Sequence, residues 1–307
     1  MSDHFTHPAF TEVPLMGPAP VVLLTFDVED WFQVENLRPL FPIDRWDDAT
    51  WRVESSTRDI LDLLEDAGCH VGVPVRATFF VLGSVAERFP GLVREIQDRG
   101  HEVASHGYWH RLCSEETPDG LRRDLSESRK LLEDIIGRRV SGYRAPGFSI
   151  SDQVLQAVRF AGYRYDSSFN SFALNPRHGR ISLNGRRRGI AHEVARGFHE
   201  IPVSNLAIRG RGIPWAGGGY FRLLPFRVFQ KGVRHILDRD GAYVFYLHPW
   251  EFDCDQPRPG GVPAVRKFRH YCGLTKTAVR LRRLIATCAG CRFLTCTGYL
   301  DQEIMNS

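Results

Sequence analysis

Three acidic side chains, Asp27, Glu29 and Asp30, lie within four positions directly after an apolar run at residues 21–26. In α/β proteins ligands bind outside the carboxyl ends of parallel strands, so acids at this point face a site and not a core. Such carboxylates can bind a cation or take a proton from water. A loop with ordinary solvated acids is the alternative for this motif alone.

The second candidate is the pair His106 and His110, which follows another short apolar run. Side chains four residues apart share one side of a helical turn, so both imidazoles can reach one ion. Gly107 stands where a zincin helix carries its glutamate base, which disfavours a metalloprotease. The base and a carboxylate ligand must therefore come from elsewhere in the chain.

Together, the acid cluster and the histidines would form a catalytic metal site. Two histidines and one carboxylate fill three coordination positions and leave one open for water or substrate. A divalent ion held there polarises a carbonyl and lowers the pKa of its water. The remaining aspartate would act as general base. Non-haem iron oxygenases use the same ligand set, but we expect those on a mostly antiparallel sheet.

Two further residues follow apolar runs. Arg144 could hold a catalytic carboxylate ionised, since a nearby cation lowers the pKa of an acid. His248 could serve as general acid toward a leaving amine. A purely structural role is the alternative for each.

The elements that must position these residues alternate between short apolar runs and longer amphipathic stretches, which is typical of βαβ units around a largely parallel sheet. This favours a doubly wound sheet or a β/α barrel. Two long loops are predicted at 175–195 and 209–219. Strands are predicted at residues 21–26, 77–82, 102–105, 142–144, 163–166, 198–202, 242–247 and 293–297, and helices at 56–67, 85–99 and 117–136.

Composition excludes several classes of protein. With 43% hydrophobic and 25% charged residues over 307 positions, the chain is typical of a soluble globular protein. A net charge of +4 gives no reason to expect nucleic acid as a partner. No apolar run reaches the roughly 20 residues of a membrane span. The first twenty residues contain no Lys or Arg and do not resemble a secretory signal, so we expect a cytoplasmic protein with reduced cysteines.

The four motifs, in this order, resemble the signature of the NodB-type polysaccharide deacetylases, carbohydrate esterase family four. The acid cluster is similar to the first motif of that family, the histidine pair to the second, Arg144-Ala-Pro-Gly to the third and Leu247-His248 to the last. The stretches Asp-Val-Glu-Asp-Trp at 27–31, Gly-Gly-Gly-Tyr-Phe-Arg at 217–222 and His-Pro-Trp-Glu-Phe at 248–252 resemble the subgroup found with exopolysaccharide and exosortase gene loci.

The resemblance implies an α/β fold, a distorted (β/α) barrel with loop elaborations. It implies an arm at residues 1–20 and a single catalytic domain at 21–300, whose part from about 200 to 300 is specific to the subgroup. The implied activity is metal-dependent de-N-acetylation of an N-acetylated glycan, with release of acetate, in exopolysaccharide biosynthesis or modification. An inactive carbohydrate-binding homologue and a hydrolase of small amides are the alternatives.

The resemblance also implies roles for individual residues. Asp27 would be the base, held by Arg144, and His248 the acid. Asp166 resembles the fourth-motif aspartate, which tunes the acid histidine, and the Gly147 amide would stabilise the oxyanion. His106 and His110 would bind the metal, for which zinc is expected and cobalt, nickel or manganese remain open.

Two departures from the family pattern affect these expectations. Val28 follows Asp27 where the family has a second aspartate, so the metal carboxylate is Glu29 or Asp30, with a slight preference for Asp30. Gly147 replaces a tyrosine, and Phe148 could fill that space. Sugar stacking or core packing are both open for the tryptophans beside the motifs, Trp31, Trp109 and Trp250.

Overall fold

A computed structural model describes residues 19–172, 179–183, 185–208 and 211–305. The strands are β1 (Val21–Val28), β2 (Ala77–Val81), β3 (Glu102–Ser105), β4 (Gly142–Tyr143), β5 (Tyr165–Asp166), β6 (Arg186–Arg188), β7 (Ala191–Ala195), β8 (Phe198–Glu200), β9 (Asn205–Ile208), β10 (Arg211–Pro214), β11 (Ala242–Leu247) and β12 (Arg292–Phe293).

The helices lie mostly between these strands. They are α1 (Val53–Val71), α2 (Gly83–Arg88), α3 (Pro90–Asp98), α4 (Pro118–Ile136), α5 (Asp152–Phe160), α6 (Gly218–Leu223), α7 (Phe226–Asp240), α8 (Ala264–Tyr271), α9 (Thr277–Thr287) and α10 (Cys296–Met305). Short 3₁₀ helices occur at Ile43–Asp48, Cys113–Glu115, Pro146–Phe148, Pro249–Phe252 and Leu274–Lys276.

The main sheet has the strand order β11-β1-β2-β3-β4-β5-β8-β7-β6, with β12 beside β1. The strands from β11 to β8 pair in parallel, whereas β7 and β6 continue the sheet antiparallel. All eight residues of β1 are buried, as expected for a strand covered on both faces. The predicted α/β fold is therefore confirmed.

The sheet curls toward closure beyond β8. Val203 donates its amide to the carbonyl of Phe169, and the next residue, Ser204, exchanges hydrogen bonds with the backbone of Val244 in β11 at 3.3 and 2.9 Å. The chain leaving β8 thus reaches the strand at the opposite end of the sheet order. This irregular bridge gives the sheet the form of a distorted barrel.

Several predicted elements differ from the observed ones for local reasons. The helix predicted at 85–99 is two helices, because Pro90 cannot continue the first and begins the second. The predicted loop 175–195 contains β6 and β7, and the predicted loop 209–219 contains β10. Both loop predictions were wrong at these strands, because basic and glycine-rich composition does not exclude a strand.

Parts of these predictions fall outside the described residues: the arm up to residue 18, and positions 175–178, 184, 209 and 210. Among the helices that the structure describes, none has the length and apolar character that crossing a bilayer requires.

Candidate active site

The parallel strands of the main sheet bring the predicted chemical groups to one edge. Asp27 lies near the end of β1, His106 directly after β3, Arg144 directly after β4 and His248 directly after β11. These residues are far apart in sequence, but the carboxyl ends of parallel strands share an edge. They line or border a cavity of about 220 Å³ that also includes Tyr246.

Glu29, His106 and His110 form a compact cluster of ligand atoms. One such atom from each residue lies within 4.8 Å of the other two, and all three side chains are buried. Glu29 Oε2 is 2.6 Å from His110 Nε2. Burial alone would raise the pKa of Glu29, but the neighbouring imidazoles, His110 above all, lower it to about 2. The carboxylate is therefore ionised and faces two nitrogen donors.

This donor set fits a divalent cation. His106 Nδ1 lies 2.8 Å from the carbonyl oxygen of Arg144, which orients the ring and leaves Nε2 with a free lone pair. Burial lowers the pKa of His106 to about 4, so its imidazole is neutral, as a metal ligand must be. Two imidazoles and one carboxylate at a partly open site are a set that zinc commonly accepts in enzymes.

The two histidines converge through a loop and not through a helical turn. Residues 106–110 have no helical hydrogen bonding, and Gly107 and His110 adopt φ angles of 76° and 52°. The left-handed region is costly for His110 because it carries a Cβ. The expectation of a helical turn was wrong, although the structure brings the two rings to 5.3 Å of each other.

Asp30 points away from the cluster, which corrects the slight preference for it as the metal carboxylate. Its Oδ2 accepts the amides of Arg52 and Val53 at the start of α1, at 2.7 and 2.8 Å, and its Oδ1 accepts the Trp31 amide. Burial raises the pKa of Asp30 to about 6 in spite of these donors. Both oxygens are used to hold α1, so Glu29 is the acid that faces the histidines.

Asp27 is held by Arg144 inside the protein. Arg144 is fully buried, and its Nη1 donates to Asp27 Oδ1 at 2.7 Å and to Thr25 Oγ1 at 2.8 Å. The other guanidinium nitrogens donate to the carbonyl and hydroxyl of Ser167. Arg144 therefore fixes one oxygen of Asp27, and the other, Oδ2, lies 3.9 Å from His248 Nε2.

His248 is supported by Glu251 and not by Asp166. Its Nδ1 is 2.8 Å from Glu251 Oε1, and Arg222 Nε donates to Glu251 Oε2 at 2.8 Å. Burial lowers the pKa of His248, but the hydrogen bond to Glu251 and the charges of Glu29, Glu251 and Asp27 outweigh it and raise the pKa to about 9. The imidazole facing the cavity is therefore protonated at neutral pH.

Asp166 instead orders the chain that supports Arg144. Its carboxylate accepts the amide of Ser168 at 2.9 Å and the hydroxyl of Ser168 at 2.8 Å, and that hydroxyl accepts the Ala145 amide. Burial raises the pKa of Asp166 to about 6, and it lies against the buried Glu200, whose pKa is raised as well. Asp166 is thus linked through Ser168 to Ala145, next to Arg144, while His248 pairs with Glu251, which corrects the expectation that Asp166 tunes His248.

The predicted sugar-contacting residues separate into three environments. Trp31 is buried among aromatic rings and donates Nε1 to the Thr50 carbonyl, so it belongs to the core, which corrects its assignment as a sugar contact. Trp250 lines the cavity, lies parallel to the His248 ring and donates Nε1 to Glu29 Oε1 at 3.2 Å. Gly147 lines the cavity, whereas Trp109 is 36% exposed and is not among the residues that line it.

Glu251 and Arg222 are the principal site residues that the motif analysis missed. Both lie inside sequence stretches already singled out, Gly-Gly-Gly-Tyr-Phe-Arg and His-Pro-Trp-Glu-Phe. An acid three residues after a histidine, at the start of a 3₁₀ helix, is a signal for such a pair. Gly218 makes room for the Glu251 carboxylate, since a Cβ at position 218 would lie 1.8 Å from Glu251 Oε2.

Comparison with known families agrees with this geometry. A family model described as polysaccharide deacetylase matches residues 16–165, and a model described as a domain of unknown function, DUF3473, matches residues 167–301. Residues 16–165 are therefore similar to the polysaccharide deacetylase family. The deacetylase match contains Asp27, Glu29, His106, His110 and Arg144. The DUF3473 match contains Ser167, Arg222, His248 and Glu251.

Named relatives match the chain over about a third of its length. The peptidoglycan deacetylase-like protein FGM2 of Gibberella zeae is 33% identical over 100 residues, which are 33% of this chain and 30% of that protein. A peptidoglycan-N-acetylglucosamine deacetylase of Bacillus cereus is 31% identical over 108 residues, or 35% of this chain and 47% of that protein. The matches therefore span less than half of these relatives.

A solved structure resembles nearly the whole chain. A Mycobacterium smegmatis protein assigned as a polysaccharide deacetylase aligns with a TM-score of 0.62 and 21% identity, covering 99% of this chain and 96% of that one. At this level of identity the likeness concerns the fold. It extends across both family matches, which accords with a site assembled from both.

Proposed function

We propose that this protein hydrolyses the acetamide of N-acetylated sugars in a glycan, releasing acetate and leaving a free amine. The observation that carries the proposal is the position of two opposed groups, Asp27 and His248, beside the Glu29/His106/His110 cluster. Asp27 Oδ2 and His248 Nε2 lie 3.9 Å apart, each fixed from behind by a buried partner. The site draws on both family matches, so we also propose one catalytic domain across residues 21–300.

The chain's own groups suit the two proton transfers of amide hydrolysis. Asp27, held by Arg144, would take a proton from the attacking water, and His248, protonated beside Glu251, would give one to the departing nitrogen. The water oxygen forms a bond to the acetyl carbon and the C–N bond breaks. The oxygen therefore leaves in acetate, and the amine leaves with the proton from His248. A cation held by Glu29, His106 and His110 would supply polarisation of the carbonyl and acidification of the water.

Zinc is the cation that we propose for this site. Two neutral imidazoles and a carboxylate are the donors of many catalytic zinc sites, and Trp250 and Arg144 hold the ligands in place through Glu29 and His106. Cobalt, nickel and manganese accept similar donors, and metal analysis of the purified protein distinguishes them. We propose an exopolysaccharide as the polymer on the basis of the subgroup resemblance.

Acetate release is the test of this function. We expect the protein to release acetate from N-acetylated oligosaccharides, to stop when a chelator removes the cation, and to resume when zinc is returned. Binding of glycans without any release by metal-loaded protein would indicate an inactive carbohydrate-binding homologue. Faster turnover of a small N-acetyl amide than of any oligosaccharide would indicate a small-amide hydrolase. Full activity after complete removal of metal would overturn the mechanism.

A further inference from the structure

A second cavity lies directly beside the active-site cavity. It has a volume of about 510 Å³, and Glu35 and His110 line both cavities. The active-site cavity, at about 220 Å³, is smaller than the roughly 300–1,000 Å³ typical of small-molecule sites. A glycan with its acetamide at the metal cluster must therefore extend outward, and the second cavity is the space next to His110.

One wall of this second cavity is aromatic. Phe41, Trp46 and Trp109 line it, and the Trp46 and Trp109 ring centroids are 6.0 Å apart. Trp46 is buried and held by a hydrogen bond from Nε1 to the Phe41 carbonyl, whereas Trp109 is 36% exposed. A rigid aromatic wall with an open face is the kind of surface on which the apolar side of a sugar ring can lie.

Three guanidinium groups line the same cavity: Arg38, Arg111 and Arg266. The carboxylate that lines it, Glu35, lies at the boundary with the active site, where it accepts from Arg38 at 3.4 Å and lies 3.9 Å from His110 Nδ1. Arg38 also donates to Glu115, and Arg111 Nη1 donates to Glu116 at 3.3 Å.

These pairings leave donors for a ligand. Glu115 and Glu116 do not line the cavity, so they fix Arg38 and Arg111 from outside it. Arg266 in α8 is exposed, and its guanidinium forms no hydrogen bond or ion pair with any other residue within the described ranges. The lining thus carries more positive than negative groups, and its cations are arginines, whose planar forks bind carboxylates through two parallel hydrogen bonds.

We propose that this cavity is a second sugar subsite, which selects a sugar bearing a carboxylate next to the N-acetylated sugar that is hydrolysed. Trp46 and Trp109 would hold the ring, and Arg266 and Arg111 would bind the carboxylate. The inference rests on the proposed function, because the position of the acetamide defines which sugar enters the second cavity. It assigns the protein to acidic glycans and not to neutral ones such as chitin.

The test compares two substrates that differ only in charge: an oligosaccharide of alternating N-acetylglucosamine and glucuronate, and the same oligosaccharide with its carboxylates reduced to alcohols. We expect kcat/KM to be about tenfold higher for the acidic form, the worth of one charge-assisted hydrogen-bonded pair. Arg266→Gln and Arg111→Gln should remove most of this preference by lowering kcat/KM for the acidic form. Arg94→Gln, at an exposed arginine on α3, is the matched control.

Equal kcat/KM for the two forms, or a preference that survives both substitutions, would overturn the subsite. If neither form releases acetate, the proposed function has failed, and calorimetric titration of the two oligosaccharides then tests the subsite alone. Tighter binding of the acidic form that Arg266→Gln abolishes would support the subsite without the activity. Equal binding of both forms, or no binding of either, would overturn it as well.

Discussion

His106 follows β3 and His248 follows β11, two strands of the same sheet with β1 and β2 between them, yet the protonation of the two imidazoles is opposite. His106 comes from the deacetylase match and has a pKa lowered to about 4 by burial, while His248 comes from the DUF3473 match and has a pKa raised to about 9. Each ring directs Nδ1 at an oxygen 2.8 Å away. The geometry of support is therefore nearly the same.

The difference lies in what carries that oxygen. His106 faces the neutral carbonyl of Arg144, which orients the ring but does not stabilise a buried imidazolium enough to offset its desolvation. His248 faces the carboxylate of Glu251, which Arg222 keeps in place. A backbone partner thus leaves a neutral imidazole, and a carboxylate partner leaves a protonated one. In the proposed reaction, this difference in charge would let one histidine bind the metal and the other donate a proton.

The largest effect should follow from removing the neutral histidine. We expect His106→Ala to lose the bound metal and to lower kcat/KM by more than about 100-fold, since even an outer partner of a metal ligand is worth 10- to 100-fold. Metal analysis and acetate release measure the two losses. His235→Ala, at an exposed position of α7, is the control. Retention of metal at the wild-type level would remove His106 from the ligand set.

Asp27 lies between the two histidine environments, and its substitution separates chemistry from metal binding. Asp27→Asn keeps the size of the side chain but cannot take a proton, so we expect kcat to fall by about 10²- to 10⁴-fold. Metal content should remain at the wild-type level, because Asp27 lies outside the Glu29/His106/His110 cluster. Loss of metal with little change in kcat per bound ion would reverse the roles of Asp27 and Glu29.

Glu251→Gln tests the contrast between the histidines directly. The variant retains an acceptor for His248 Nδ1 but removes the charge, so in metal-free protein we expect the pKa of His248 to fall well below about 9, while His106 stays near 4. NMR titration of the imidazoles measures both. Asp255→Asn, an exposed acid four residues away, is the control and should leave both values unchanged.

The sign of the pH dependence follows from the raised pKa. Protonated His248 stabilises the wild-type fold fully below the unfolded value of about 6.5, and this contribution is lost as the pH rises through about 9. The proton-donating form declines over the same range, and a bound cation would move that decline to lower pH. Glu251→Gln should lose kcat at a lower pH than wild type. Identical alkaline limbs would exclude Glu251 as the partner of His248.

The sequence alone predicts the site residues that lie at the ends of strands. Asp27, His106, Arg144 and His248 each come after an apolar run, and parallel strands must bring such residues to one edge. Alternation of side chains along an extended chain also favours Glu29 over Asp30, because Glu29 then shares the face of Asp27.

The remaining features depend on contacts that sequence spacing does not encode. The carbonyl that orients His106 belongs to Arg144, and Arg222 reaches Glu251 from another element. Trp31 and Trp250 occupy similar places beside motifs, yet one is in the core and the other against Glu29. The left-handed conformation of His110 likewise results from the loop as a whole. Such features follow from packing and not from local pattern.

Asp30 is a buried carboxylate whose partners are backbone groups, as the partner of His106 is. Like His106 it is bound by backbone groups, three amides of Trp31, Arg52 and Val53, and its contribution should be to stability alone. Asp30→Ala leaves these donors without their acceptor, so we expect a loss of about 1–3 kcal/mol in the free energy of unfolding, measured with urea. Metal content should not change, and Asp59→Ala, exposed on α1, should have little effect. Loss of metal from Asp30→Ala at unchanged stability would instead make Asp30 a ligand, and the backbone contacts would then be incidental.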